Sequence, residues 1–134
     1  MNKELIEKMI DEARRAAGNA LCAYSGVPMG AALLVAVDGG TMIWTGCNIE
    51  PAAMNLTLDA GEVALAKALS EGHSQFVAIA FWSEKVAPIP TGAFLQFAGD
   101  FNVGMDIIVA TDETYSLHKL HDLLPIRRVH SEVE

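Results

Sequence analysis

Cysteine is scarce in this chain of 134 residues: Cys22 and Cys47 are the two present. Two are too few for a disulfide framework, and they lack the paired spacing of a metal knuckle. They read as small buried thiols. Basic residues are also few, nine Lys and Arg against seventeen Asp and Glu, for a formal charge of -8. A surface of that sign repels nucleic acid and anionic lipid, so neither is expected as a partner. The basic doublets Arg14-Arg15 and Arg127-Arg128 read as a solvated helix face and a solvated tail. Long apolar runs are missing too. The run Ala31 to Val37 is far too short for a bilayer, where about 20 residues are needed. Lys3, Glu4, Glu7 and Lys8 leave no signal-peptide core at the start. A cytoplasmic protein with no membrane partner is expected.

What is present is a core. With 51% hydrophobic and 19% charged residues, the chain reads as a single domain over 1–134, with a tail from about residue 127. Leu5, Ile6, Met9, Ile10, Ala13, Ala16, Ala17 and Ala20 recur at helical spacing and predict an amphipathic helix over 3–20, capped by Asn2. Two apolar runs, 31–37 and 41–47, flank Asp38-Gly39-Gly40 and read as a hairpin. A mostly apolar helix follows an irregular stretch from Asn48 to Leu58 and stops at Gly72. Phe76 to Trp82 is a continuous apolar strand, and a short helix runs from Thr91 to about Phe101. Strands are expected at 106–110 and 114–118, and a helical turn at 120–124. Helices alternating with buried strands imply a three-layer α/β/α sandwich around a five-stranded mixed sheet.

Several ordered segments carry a resemblance. Tyr24-Ser25 followed by Gly30-Ala31-Ala32-Leu33 matches Y-S-x-F-x-V-G-A-A, and Thr45-Gly46-Cys47-Asn48-Ile49-Glu50 matches T-G-x-N-V-E. Leu56-Thr57 and the helix ending Ala68 to Gly72 flank the place of L-T-x-C-A-E-R. Pro90, Gly92, Ala93 and Gln96 fit P-C-G-A-C-R-Q, and Leu123-Leu124-Pro125 fits a terminal L-L-P. Over residues 3 to 126 the chain resembles the small homo-oligomeric cytidine deaminases. The resemblance implies a cytidine deaminase-like fold and a homo-oligomer, tetramer or dimer.

In such enzymes Cys or His side chains hold a zinc ion that activates water, and a nearby Glu moves the proton. By the resemblance, the first cysteine falls on Asp59, the catalytic Glu on Gly61, and the other two cysteines on Thr91 and Phe94. Asp59 and Thr91 then read as caps of two helix starts, with Glu62 completing an acidic capping box. The sugar-gripping pair is kept as Asn48 and Glu50. The expectation is a zinc-free homologue without deaminase activity and without a cofactor or metal, binding a nucleoside or related small polar ligand. Two alternatives stay open: metal-independent chemistry, with Glu50, Asp59 or Glu62 as acid or base, and a structural or regulatory subunit of a mixed oligomer. Whether the chain is an enzyme is left open. His118 and His121, three residues apart, read as a strand end and a turn.

Overall fold

The structure is a computed structural model and describes residues 1–130. Positions 131–134 of the expected tail lie outside the described residues. The elements run α1 (Lys3–Ala17), β1 (Met29–Val37), β2 (Gly40–Cys47), a 3-10 turn (Met54–Leu56), α2 (Ala60–Ser70), β3 (Phe76–Ser83), α3 (Gly92–Gly99), β4 (Asp106–Ala110), β5 (Tyr115–Lys119) and α4 (Leu120–Leu123). The strands form one mixed sheet in the order β2-β1-β3-β4-β5. β3 and β4 are parallel and the other neighbours antiparallel.

The central strands are apolar on consecutive residues because helices cover both faces. Ala31, Leu33, Val35, Ile79, Phe81, Ile107 and Val109 point to the layer that holds α2 and α3. Ala32, Leu34, Ala78, Ala80, Ile108 and Ala110 point to α1 through Ile6, Met9, Ile10 and Ala13. Burying each large aliphatic side chain of α1 contributes about 1.5 to 3 kcal/mol. Two glycines set the helix-to-sheet distance. A Cβ on Gly30 would lie 1.7 Å from the Ala13 carbonyl oxygen, and one on Gly46 2.4 Å from that of Ala60. Backbone therefore rests on backbone at both crossings.

Four expectations need correction. α1 ends at Ala17 rather than Ala20, because Gly18 takes the C-cap and Leu21 N–H donates to the Asn48 carbonyl, drawing the chain out of helical register. β5 runs one residue later than expected, from Tyr115 opposite Ala110 to Lys119, whose pairing with Asp106, in register and in an ion pair of 2.7 Å, extends the strand at its far end. Cys22 and Cys47 are half-buried rather than buried. The doublets are not simply solvated. The Arg14 guanidinium lies 5.7 Å from the Trp82 ring centroid and 3.4 Å from Asp112. Arg127 lies against Gly99 and pairs with Asp100, and the Gln96 amide bonds both the N–H and the carbonyl of Arg128.

Candidate functional site

The residues singled out in sequence gather at one end of the sheet, in two clusters. β2 leaves the sheet at Cys47 opposite Gly30, and β3 ends at Ser83 opposite Met29. A two-way backbone bridge between Ile49 and Leu58, 2.9 and 3.0 Å, ties the exit of β2 to the start of α2.

Asn48 and Glu50 form the first cluster, and both grip the turn 25–29. Asn48 is 5% exposed. Its Oδ1 accepts from Met29 N–H and its Nδ2 donates to the Val27 carbonyl, each at 2.9 Å. The Glu50 carboxylate accepts from Ser25 N–H at 2.9 Å and from the Ser25 hydroxyl at 2.5 Å. That hydroxyl, and then the Ser25 N–H, hold the Glu50 carboxyl below its ordinary pKa by stabilising the charged form.

The second cluster joins the N-termini of α2 and α3, where helix N–H groups lack internal acceptors. Asp59 Oδ1 accepts from Glu62 N–H at 2.7 Å, and its Oδ2 accepts from the Thr91 hydroxyl at 3.1 Å. Thr91 Oγ1 in turn accepts from Phe94 N–H at 3.0 Å. One chain of hydrogen bonds thus caps both helices and links them. Burial first, and the neighbouring Asp59 charge second, push the Glu62 carboxyl above its ordinary pKa. Glu62 lines a mostly apolar cleft of about 320 Å³ between α2 and α3, with Leu58, Val63, Ala66, Ala93 and Phe97.

Gly61 lies under two rings. A Cβ there would be 2.7 Å from the Phe81 ring and 2.8 Å from that of Phe94. Phe94 is fully buried, edge-on to Phe81 with centroids 5.1 Å apart. At positions 59, 91 and 94 the side chains are therefore a carboxylate, a hydroxyl and a phenyl. Among the described residues no three His, Cys, Asp or Glu side chains gather as a metal-holding group. This donor set does not fit a catalytic zinc centre, which takes three protein ligands of those kinds. His118 contacts Ser116 and His121 contacts Asp122, so the two histidines do not converge.

Sequence reasoning missed two members of this end of the sheet. Ser25 was visible within Tyr24-Ser25, but nothing marked it as the partner of a residue 25 positions away. Ser83, 2% exposed, donates its hydroxyl to the Pro28 carbonyl at 3.1 Å and left no sequence signal.

Solved structures share this architecture. Cytidine deaminase from Burkholderia pseudomallei superposes with a TM-score of 0.84 at 29% identity, covering 96% of this chain and all (100%) of that one. Cytidine deaminase from Mycobacterium tuberculosis does so with a TM-score of 0.75 at 28% identity, over 90% and 94% of the two chains. The model of the cytidine and deoxycytidylate deaminase zinc-binding region matches residues 3–90. A probable cytidine deaminase from Dictyostelium discoideum is 38% identical over 93% of this chain and 84% of its own length. A cytidine deaminase from Sporosarcina psychrophila is 41% identical over 72% and 69%. The chain belongs to the cytidine and deoxycytidylate deaminase family.

These similarities overturn two expectations: a zinc-free homologue without deaminase activity, and the absence of any cofactor. The relatives bear the name of cytidine deaminase, and the matched region is described as zinc-binding. The two alternatives of other chemistry and a subunit role fall with the first. Those expectations rested on four positions, whereas the similarity extends along the chain. Among the described residues no helix is long and apolar enough to cross a membrane.

Proposed function

We propose that this protein hydrolytically deaminates a cytidine-type nucleoside. Water adds its oxygen to C4 of the pyrimidine ring, the bond from C4 to the exocyclic nitrogen breaks, and ammonia leaves. The observation that carries this reading is the 38% identity to a probable cytidine deaminase over 93% of the chain. In this reading Asn48 and Glu50 hold the sugar. Glu62, whose carboxyl keeps its proton to higher pH than an ordinary Glu, hands that proton to the departing nitrogen, and the adding water gives up its two protons, one restoring Glu62 and one ending on ring N3 of the product. Asp59, Gly61, Thr91 and Phe94 occupy the positions at which the family resemblance places three cysteines and a glutamate.

Exposed apolar residues around the cleft, Leu56 at 64%, Leu58 at 48% and Phe97 at 54%, favour a homo-oligomer built on the α2 and α3 faces. We further assign a single domain, a cytoplasmic location and no nucleic-acid partner, the last on the chain's net charge of -8. The test is incubation of the purified protein with cytidine, separation of cytidine from uridine by chromatography, and zinc analysis of the same sample. Uridine and ammonia formed in equal amounts, and abolished in Glu62→Gln, support the proposal. No uridine at micromolar protein with or without added zinc would overturn it. The metal content also decides between the family's zinc-binding description and the oxygen donors found at the helix starts.

A further inference from the structure

We infer that Ser25 is a positioning residue for Glu50, holding its carboxylate in one orientation so that the remaining lone pairs meet a hydroxyl of a bound sugar. The inference rests on the proposed sugar-holding role of Glu50. The geometry is directional. Ser25 Oγ accepts from Val27 N–H at 3.1 Å, which aims its single proton at Glu50, 2.5 Å away. A hydroxyl-to-carboxylate bond of that length belongs to the strong, charge-assisted kind. Ser25 N–H reaches the other carboxylate oxygen at 2.9 Å, so rotation of the carboxylate is blocked at both oxygens. A carboxylate has about four acceptor sites, and Ser25 takes two of them. With the Tyr24 backbone contributing a further, smaller interaction, what is left over can still accept from a ribose hydroxyl.

The turn that carries Ser25 is itself pinned. Gly26 takes a left-handed φ of 71°, and its N–H donates to the Cys22 carbonyl at 2.7 Å. Asn48 bonds the Val27 carbonyl and Ser83 bonds that of Pro28. Gly26, Val27 and Pro28 then wall an open cleft of about 190 Å³ against Ser83, Glu84 and Val86. No charged side chain is among the groups that shift Glu50; the donors come from Ser25 and the Tyr24 backbone.

Two measurements test this. In the first, the Glu50 carboxyl is titrated by carbon-13 NMR in labelled wild type, Ser25→Ala and Ser25→Thr. The Ala variant is expected to move the Glu50 midpoint upward toward that of an ordinary glutamate, and the Thr variant, which keeps the hydroxyl, to restore it. Spectra away from the turn should be unchanged. In the second, cytidine and 2′,3′-dideoxycytidine are compared as substrates. Ser25→Ala should raise KM for cytidine about tenfold, with kcat changed by less than about twofold, as for loss of an interaction made equally in ground and transition states. The dideoxy analogue, which lacks the hydroxyls, should not distinguish the variants. A Glu50 midpoint unmoved in Ser25→Ala overturns the inference, whatever the nucleosides do. Equal losses for both nucleosides also overturn it. Wild type that converts no cytidine would sink the proposed function while leaving the titration to decide the role of Ser25.

Discussion

Gly61 provides the sharpest packing test at the start of α2. Replacing it with Ala has two opposed effects. In an open helix Ala is favoured over Gly by about 1 kcal/mol. Here the added methyl would stand 2.7 Å and 2.8 Å from two atoms of the Phe81 ring and 2.8 Å from one of Phe94. Both rings are core side chains locked edge to face, with Phe94 fully buried and Phe81 4% exposed, so neither can swing into solvent. Overpacking of this kind costs about 1 to 3 kcal/mol, which exceeds the helix gain. Gly61→Ala should therefore destabilise by about 1 to 2 kcal/mol, the upper part of that range after the gain is subtracted. The same change in a Phe94→Leu background should cost less, because the contact with the Phe94 ring is relieved while the two with Phe81 remain. The coupling between the two sites is then about 0.5 to 1 kcal/mol, within the range of residues in contact. Urea unfolding of the four proteins, read as midpoint shifts at constant slope, measures it. A Gly61→Ala protein as stable as wild type, or an effect identical in both backgrounds, would refute the packing argument.

Three further outcomes follow from the helix starts. Asp59→Ala should lower stability by about 1 to 2 kcal/mol through loss of the N-cap, and Thr91→Val by a similar amount. Because the two side chains bond each other, the double variant should lose less than the sum, as a double-mutant cycle in chemical denaturation would show; full additivity would mean the bridge contributes nothing. Glu62→Gln should flatten the pH dependence of stability. A carboxyl whose folded pKa is raised stabilises the fold fully below its unfolded value of 4.5 and loses that contribution as pH rises through the folded value. Wild type should therefore lose stability relative to Glu62→Gln as pH rises from about 4.5, in unfolding curves taken every half unit of pH.

The parts of this protein written in short stretches of sequence were legible there. Continuous apolar runs marked β1, β3 and β4 because both sheet faces are covered, and Asp59 and Thr91 stood where helix caps belong. The parts written between distant residues were not. The end of α1 depends on a bond from Leu21 to Asn48, and the seating of the C-terminal segment on Gln96 and Gly99. The family resemblance marks Glu50 as a sugar ligand, yet its orientation is set by Ser25 across 25 residues. The functional expectation erred for a different reason. Four substituted positions point away from activity and cofactor, while the similarity to a probable cytidine deaminase is spread over 93% of the chain.

The most direct measurement is therefore the fate of cytidine itself. Purified protein at micromolar concentration, with zinc quantified in the same preparation, should release ammonia and uridine in equal amounts, at a rate that Glu62→Gln removes. Cytidine recovered intact after prolonged incubation, with zinc supplied, would contradict the proposed activity.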